Sequence, residues 1–472
     1  FKYFEEICEI PHGSSDTSKI SEYCVEFARN HNLRYIKDSL NNIIIFKDGT
    51  KDYENSDTII IQGHLDMVCE KEKDCNIDFK NDGLELQVLD GVISAKGTTL
   101  GGDDGIAVAF ALAILDSNDI SHPPLEVVFT VDEEIGMLGA ADIDCSPLKG
   151  KIMLILDSED EGYLLVSCAG GIMATCHLPV KTEEKYGKKI SICVSGLLGG
   201  HSGVEIDKGR ANANEILGRV LYGLKSVAEY RIVSVNGGLK DNAIPREATA
   251  EVIIIDEKYD DEILWDYEKQ LNEILKEEYK NTDKDICVSI KCEKSAKYMT
   301  MCYTDTNNII TALFTLPGGI QKMSSNIENL VQTSLNLGIL KTFDKEVQMS
   351  FAVRSSVKSE KQELMDKLQC LMENLNGYVT SNGDYPPWEY RKESKLRKLM
   401  IDIYREQTGK DVVVQALHAG VECGLFAGKI EELDCVSFGP DIKDIHTTAE
   451  SMPIDSVKRT WDYVVEILKR LK

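Results

Sequence analysis

The chain has 472 residues, of which 43% are hydrophobic, and its formal net charge is -26. This length exceeds that of an ordinary single domain and fits two domains with sizeable cores. The negative charge disfavours nucleic acid and anionic membranes as partners, and no apolar run reaches the length of a membrane span, so we expect neither partner.

The first third of the chain alternates predicted strands with a predicted helix. Residues 58–63, 125–131 and 152–156 are short apolar runs typical of buried strands, and 104–116 is a helix that is apolar nearly all round. Continuous apolar strands between helices indicate an α/β fold with a mostly parallel sheet covered on both faces.

The middle of the chain, 185–382, has a different order of elements. The first run has a strand at 190–195, a helix near 208–225, strands near 230–235 and 247–255, a helix at 261–280 and a strand at 286–292. The second run has a helix near 305–314, strands near 331–340 and 346–354, a helix at 358–375 and a strand near 377–381. The similar order predicts an inserted α+β lid domain made of two copies of one unit.

The last part of the chain returns to α/β character. Its predicted elements are a helix at 394–407, an apolar stretch at 411–417, a strand at 433–438 and a closing helix near 454–471. The simplest architecture is one catalytic domain built from 1–184 and 383–472 and interrupted by the lid at 185–382.

Acidic or imidazole side chains follow four of the predicted strands at the point where each strand ends. They are His64 and Asp66 after 58–63, Glu133 and Glu134 after 125–131, Asp157 after 152–156, and His446 after 433–438, while Asp103 and Asp104 precede the apolar helix. Ligands bind at this edge of an open parallel sheet, so five segments would bring these groups together. Clustered carboxylates repel one another, and a pair of metal ions relieves the repulsion. Oxygen and imidazole ligands without thiolate suit zinc, manganese or cobalt at a two-metal hydrolytic centre.

Each motif also has an ordinary structural explanation. A His-x-Asp pair is commonly a hydrogen-bonded surface pair, Glu-Glu after a strand is commonly a solvated loop, and Asp-Asp-Gly is commonly a turn or a helix cap. The glycine-rich stretch 97–105 could suggest phosphate binding, but it lacks a Lys-Ser/Thr ending and its two aspartates would repel phosphate. The recurrence of the motifs at strand ends favours the metal centre.

Nine motifs carry a resemblance to a known family. They are HLDMV (64–68), TTLGGDDGIA (98–107), VDEEIGMLGA (131–140), LDSEDEG (156–162), CAGG (168–171), LLGGHSGVEI (197–206), NAIPRE (242–247), HAGVECGLF (418–426) and GPDIKDIH (439–446). In this order the sequence resembles the aminoacylase/carboxypeptidase-type dizinc peptidases, and within them the bacterial aminoacyl-histidine dipeptidases. The resemblance implies a dizinc catalytic domain with an inserted lid.

The resemblance also implies a set of metal ligands. Asp103 would bridge two divalent ions, with His64 and Asp157 on one ion and Glu134 and His446 on the other. Zinc is the metal that the family implies, with cobalt or manganese as alternatives.

Further roles are implied for residues around the metals. Asp66 would hydrogen-bond to His64 and fix its tautomer. Glu133 would be the general base that takes a proton from the attacking water and returns it to the leaving amine. His201, on the insertion, would donate to the developing oxyanion. Family members have a cis peptide after the bridging aspartate, so we expect one after Asp103.

The substrate and its free carboxylate would be held by Asn242, Arg354, His418 and Gly420. Three of these residues also have an ordinary explanation: Asn242 could cap a turn, Arg354 could form a surface ion pair, and His418 could be a buried, hydrogen-bonded histidine. Asp104 departs from the close relatives, which often carry a neutral residue there. This departure weakens the inference about the exact substrate.

Three functions remain open. The first is a dipeptidase acting on Xaa-His or similarly short peptides, such as β-alanyl-histidine. The second is a tripeptide aminopeptidase or an acyl-amino-acid deacylase, which would use the same catalytic residues. The third is an inactive binding or scaffold protein, which would have lost the general base or a metal ligand; the base and all five ligands are present here.

The 14 cysteines form no Cys-x-x-Cys pair, so we expect reduced thiols in a cytoplasmic protein. We also expect either a monomer or a homodimer.

Overall fold

The computed structural model describes residues 1–255 and 260–472, which divide into two compact units. The first unit contains Phe1–Cys168, Tyr390–Ala416 and Val421–Lys472. The second unit contains Ala169–Glu389 and Leu417–Gly420. The first unit is therefore assembled from both ends of the chain.

Up to Cys168 the chain forms the larger part of the first unit. Its elements are α1 (Lys2–Cys8), α2 (Ser18–Asn30), β1 (Arg34–Lys37), β2 (Ile43–Lys47), β3 (Ile59–His64), β4 (Leu86–Leu89), β5 (Val92–Ala95), α3 (Gly102–Asp116), β6 (Leu125–Thr130), α4 (Leu138–Asp142), β7 (Ile152–Ile155) and β8 (Tyr163–Cys168).

The next stretch forms most of the second unit. Its elements are β9 (Gly170–Pro179), β10 (Thr182–Ser195), β11 (Gly200–His201), a 3-10 turn (Ile206–Lys208), α5 (Ala213–Leu224), β12 (Tyr230–Gly237), β13 (Ala243–Ile244), β14 (Ala248–Ile254), α6 (Asp261–Glu278), β15 (Cys287–Met301), α7 (Tyr303–Thr315), β16 (Gly319–Met323), β17 (Val331–Thr342), β18 (Glu346–Ser355), α8 (Lys358–Asn374) and β19 (Tyr378–Tyr385). The remaining elements are α9 (Lys395–Thr408), β20 (Val413–Leu417), α10 (Glu422–Lys429), β21 (Asp434–Ser437), β22 (Ser451–Pro453) and α11 (Ile454–Arg470).

The main sheet of the first unit has the strand order β1-β2-β6-β3-β7-β21-β8-β20. Its centre is parallel, because β6 pairs with β3, β3 with β7, and β7 with β21 in the same direction. Every residue of β3 and β6 is buried, as expected for strands that read as continuous apolar runs. The predicted mostly parallel α/β fold is confirmed.

Helix α3 packs on this sheet and is buried along almost its whole length. Its residues are apolar on all sides, which is typical of a helix enclosed by the protein. The helical path is interrupted near its start, where Asp103 and Asp104 have non-helical backbone angles. The bond between them is a cis peptide, as the resemblance implied.

The sheet of the second unit has the order β15-β10-β14-β12-β17-β18-β9-β19, with β16 paired to β17. Two halves meet where β12 pairs with β17. In each half, the four strands and two helices follow the order strand, helix, two strands, helix, strand, once β9 is counted as the first strand of the second half. The two halves thus repeat one α+β motif, and their buried side chains form one hydrophobic core.

The limits of the second unit differ from those expected for the lid, 185–382. Strand β9 pairs with β18 and β19, so this unit already begins at residue 169 and extends to residue 389. Residues 417–420 also belong to it, although they lie far along the segment 383–472 that we expected to be entirely catalytic. None of the helices in the described residues has both the length and the apolar character needed to cross a membrane.

Candidate active site

The carboxyl ends of the central parallel strands carry the predicted metal ligands. His64 is the last residue of β3, Glu134 follows β6, and Asp157 follows β7. His446 lies in the loop after β21. Because these four strands are neighbours in the sheet, their ends line the same edge, where ligands bind in folds of this kind.

Asp103 lies between two imidazole groups. Its Oδ1 is 3.1 Å from Nε2 of His64, and its Oδ2 is 3.3 Å from Nε2 of His446. His446 Nε2 is also 2.9 Å from Oε1 of Glu134, and His64 Nε2 is 3.8 Å from Oδ1 of Asp157. The five predicted ligands are therefore brought together as two imidazole–carboxylate pairs, one facing each oxygen of Asp103.

The pKa values of the residues in this cluster are shifted by the neighbouring carboxylates, which favour positive charge. The hydrogen bonds of His446 to Asp103 and Glu134 raise its pKa to about 10. Burial alone would lower the pKa of His64, but the carboxylates of Asp103 and Asp66 outweigh burial and raise it well above its usual value. Burial and the charge of Asp103 raise the pKa of Asp157, although His64 opposes the shift.

The donor set fits a pair of divalent cations. Ligand atoms in three groups each lie within 4.8 Å of one another: His64, Asp104 and Asp157; His64, Asp103 and Glu134; and Asp103, Asp157 and Glu159. All are imidazole nitrogens or carboxylate oxygens, the ligand types that zinc, manganese and cobalt accept. Divalent ions would offset the repulsion between these carboxylates.

Asp66 makes a different contact from the one expected. Nδ1 of His64 is 3.0 Å from the backbone carbonyl of Asp66 and 3.6 Å from its carboxylate. A carbonyl accepts only, so it fixes the His64 tautomer in the way we expected of the carboxylate. The Asp66 carboxylate instead accepts hydrogen bonds from the backbone N–H groups of Glu133 at 3.0 Å and Glu134 at 3.3 Å, and from the Ser14 hydroxyl at 2.8 Å.

Glu133 has its backbone fixed by Asp66, while its carboxylate makes no hydrogen bond with another described residue. Burial raises its pKa to about 7; the charges of Glu134 and Asp103 add to this shift, and His64 opposes it. Its neighbour Glu134 is engaged by His446. The two adjacent glutamates therefore have distinct surroundings.

A second group of predicted residues lies in the second unit. His201 is half-buried, and its Nδ1 accepts hydrogen bonds from the backbone N–H groups of Gly203 at 3.1 Å and Val204 at 3.2 Å. Burial and the charge of Arg354 lower its pKa, so the ring is neutral near pH 7. Because Nδ1 is the acceptor, the single proton of the neutral ring lies on Nε2, which can donate.

Arg354 and His418 belong to the same group. A side chain placed on Gly203 would lie 3.2 Å from Nε of Arg354 and 2.7 Å from the His418 carbonyl, so the three residues are adjacent. Arg354 Nη1 donates to the Tyr385 hydroxyl at 2.9 Å, and His418 Nε2 is 2.7 Å from the Ser334 hydroxyl. Burial and the charge of Arg354 lower the pKa of His418 to about 3.

The remaining predicted residues complete this group. The carbonyl of Asn242 accepts a hydrogen bond from the backbone N–H of Ser202 at 2.9 Å, while the Asn242 side chain is exposed. Gly420 lies against the Tyr385 ring, since a side chain there would come within 2.5 Å of it. Three buried polar atoms of the group have no hydrogen-bond partner among the described residues: Arg354 Nε, His418 Nδ1 and Ser202 Oγ.

Comparison with known proteins decides the family. The model of peptidase family M20/M25/M40 matches residues 60–470. The chain belongs to this family. It is 35% identical over 473 aligned residues to the cytosol non-specific dipeptidase of Escherichia coli (strain K12), with 99% of this chain and 96% of that protein covered.

Two solved structures have a similar fold. The aminoacylhistidine dipeptidase from Vibrio alginolyticus matches with a TM-score of 0.93 and 34% identity, over 99% of this chain and 95% of that one. The aminopeptidase PepT from Bacillus cereus matches with a TM-score of 0.56 and 17% identity, over 100% and 97% of the two chains. The second match concerns the fold only.

Two acidic residues of this peptidase site were missed by the sequence analysis. Glu159 lies close enough to Asp103 and Asp157 to share a cation with them. Glu450 is 2% exposed and accepts backbone hydrogen bonds from the loop that carries Asp103. Glu159 stands in the motif LDSEDEG (156–162), and Glu450 lies four residues after His446. Acidic residues at such spacings are common in exposed loops, so neither was distinguished from its neighbours.

Proposed function

We propose that this chain is a metal-dependent dipeptidase that hydrolyses short peptides, Xaa-His dipeptides such as β-alanyl-histidine among them. The observation that carries this proposal is the pair of imidazole–carboxylate contacts on the two oxygens of Asp103. The two dipeptidases described above support it, because each matches nearly the whole chain at 34–35% identity. An inactive scaffold is disfavoured because the base and every expected ligand are present.

The metal ligands in this proposal are His64, Asp103, Glu134, Asp157 and His446, with zinc as the expected metal and cobalt or manganese as alternatives. When bound, the ions would polarise the scissile carbonyl and make water a better nucleophile near neutral pH. The chain's contribution is to hold five donors in place. His64 is held by the Asp66 carbonyl, and Asp157 is held by Ser437, whose hydroxyl donates to its carbonyl at 2.9 Å.

Glu133 is the proposed general base. Its backbone is anchored by Asp66 while its carboxylate has no competing hydrogen bond from a described side chain, which leaves that carboxylate available to take a proton from the attacking water. It would then return this proton to the nitrogen of the leaving amine. Glu134 cannot take this role while it is engaged by His446.

The group in the second unit is proposed to bind the substrate. His201 would donate its Nε2 proton to the oxyanion that forms on the scissile carbonyl. Arg354 and Asn242 would bind the free carboxylate, with His418 and Gly420 beside them. Arg354 Nε and the Ser202 hydroxyl have no partner within the described part of the chain, and they support this role, because buried donors without partners are uncommon and indicate a missing acceptor.

A cytoplasmic location is part of the proposal, since the matched Escherichia coli protein is called a cytosol dipeptidase. We propose either a monomer or a homodimer.

Hydrolysis of a small substrate panel tests the function. The protein would be stripped with a chelator, reloaded with zinc, cobalt or manganese, and given β-alanyl-histidine, an α-dipeptide, a tripeptide and an acetyl-amino acid. We expect activity only after metal is restored, with dipeptides cleaved fastest. Full activity in a metal-free preparation would overturn the proposal, and faster cleavage of the tripeptide or the acetyl-amino acid would replace the dipeptidase with that alternative.

A further inference from the structure

The backbone of the loop that carries Asp103 binds a carboxylate from a distant part of the chain. Oε2 of Glu450 accepts hydrogen bonds from the backbone N–H groups of Leu100 at 2.8 Å and Gly101 at 3.1 Å. Its Oε1 accepts from Gly102 at 2.8 Å and lies 3.5 Å from the N–H of Asp103. One buried side chain thus engages four successive backbone donors.

This arrangement explains the glycine-rich stretch that resembled a phosphate site. Successive backbone N–H groups around a left-handed residue form a concave anion-binding nest, and Gly101 has φ of +67° at the start of α3. In this chain the nest is filled internally. The anion that it binds is the Glu450 carboxylate, so the loop has no room for a phosphate.

Glu450 also belongs to a closed loop that carries His446. The base of that loop is fixed by paired hydrogen bonds between Lys443 and Ser451, at 2.8 Å and 3.0 Å. Within it, the Thr447 hydroxyl donates to the Asp444 carbonyl at 2.7 Å, and the Glu450 N–H donates to the Thr447 carbonyl at 3.2 Å. The loop is therefore stabilised by its own hydrogen bonds, and Glu450 is the residue through which it binds the Asp103 segment.

We propose that Glu450 is a positioning residue of the metal centre, whose carboxylate holds the loop of His446 at a fixed distance from Asp103. The inference rests on the proposed function, because it concerns ligands of the proposed metal pair. Glu450 itself would contact neither the substrate nor the reacting atoms. It acts through the placement of two ligands from opposite ends of the chain.

Glu126 provides a matched control. It is a buried glutamate, 4% exposed, that accepts backbone hydrogen bonds from Lys149 at 2.9 Å and Gly150 at 3.0 Å. It thus has the chemistry of Glu450, but it lies near the start of β6 and holds the segment before β7, which carries no proposed metal ligand. Replacing it reports the cost of losing a buried carboxylate, separated from any effect on the metal centre.

The test measures zinc affinity by competition with a coloured chelator, in wild type, Glu450→Ala and Glu126→Ala. Loss of a residue that orients metal ligands typically weakens binding by about 10–100-fold, which we expect for Glu450→Ala. Glu126→Ala should lower the melting temperature and leave zinc affinity close to wild type. Added acetate should restore zinc affinity to Glu450→Ala by entering the vacated nest, and should have no such effect on wild type.

Glu450→Gln and Glu126→Gln repeat the comparison with the side-chain volume kept, in case the alanine variants do not fold. Glu450→Gln should bind zinc more weakly and gain nothing from acetate, because its amide fills the nest. Wild-type zinc affinity in the Glu450 variants, or an equal loss in the Glu126 variants, would overturn the inference. Absence of zinc binding by wild type would instead contradict the proposed function.

Discussion

At the scale of single residues, Glu133 and Glu134 are neighbours with different surroundings and different proposed roles. Asp66 holds the backbone of both, yet only Glu134 meets His446. The assignment of Glu133 as the base and Glu134 as a metal ligand is a prediction that rests on the family pattern alone. The sequence could not predict that the contact of Asp66 with His64 runs through a backbone carbonyl, because a sequence does not record which oxygen of a residue faces a neighbour.

Exchanging each glutamate for glutamine separates the two roles. Glu133→Gln keeps the size of the side chain and removes the base, so kcat should fall by roughly 10²–10⁴ while metal content is unchanged. Glu134→Gln should instead lose metal. Steady-state kinetics and elemental analysis of the same samples check both; a reversal of the two phenotypes would show that the roles are exchanged.

His418 should make the stability of the protein sensitive to acid. Its folded pKa of about 3 lies below the ordinary value of 6.5, so the unfolded chain binds the proton more tightly. The stabilising effect is complete above pH 6.5 and is lost as the pH falls from there toward 3. Between pH 6.5 and 5 the free energy of unfolding should drop by roughly 1.5–2 kcal/mol because of this residue. In His418→Gln that part of the pH dependence should be absent.

Urea denaturation at both pH values measures this difference. All other titrating groups are shared by the two proteins, so they cancel in the comparison. An equal pH dependence in wild type and His418→Gln would show that His418 titrates normally in the folded protein.

At the scale of elements, the strands that carry the ligands were predicted nearly to the residue. Their apolar runs are continuous because both faces of the sheet are covered. Strand β9 was missed as the first strand of the second repeat, since it precedes the first repeat in the chain and pairs with β18, which begins only at Glu346. The role of Glu450 was missed for a similar reason: its partners are backbone groups about 350 residues away.

Gly439 lies where the segment after β21 packs against the segment after β7. A side chain at this position would lie 1.9 Å from the carbonyl oxygen of Ser158, next to the proposed ligand Asp157. Gly439→Ala should therefore push the segments after β7 and β21 apart, with a stability loss of roughly 1–3 kcal/mol from overpacking and weaker metal binding. Thermal melts and chelator competition measure these effects.

Gly409→Ala is the control for this substitution. Gly409 ends α9 with φ of +71° and has no atom within 4 Å of an added side chain. Its replacement should cost roughly 1–2 kcal/mol through the left-handed backbone alone, and leave metal binding intact. If Gly439→Ala behaves in the same way, the contact with Ser158 does not position Asp157.

At the scale of the whole molecule, the repeated motif of the second unit bears on how His201 is supplied. The family resemblance implies that, in members with a small lid, the equivalent histidine comes from a dimer partner. Here two similar halves share one continuous sheet within a single chain. We therefore expect His201 to act within its own chain, whether or not the protein dimerises.

Mixing two inactive variants tests this expectation. Glu133→Gln and His201→Ala would be combined, with subunit exchange verified by differently tagged chains. Recovery of activity requires that a dimer pairs the intact Glu133 of one subunit with the intact His201 of the other. We expect no recovery, and substantial activity after mixing would show that His201 acts across subunits.

The assembly of the first unit from both chain ends has a consequence for synthesis in the cell. Strand β21 lies between β7 and β8, and the contact of Ser437 with Asp157 spans 280 residues. At a translation rate of about 5–20 residues per second, that interval lasts roughly 15–60 s. Until it ends, the nascent chain lacks a central strand and His446. A growing polypeptide on the ribosome therefore cannot yet be a working peptidase, and a transcript cut short before this point would encode an inert protein.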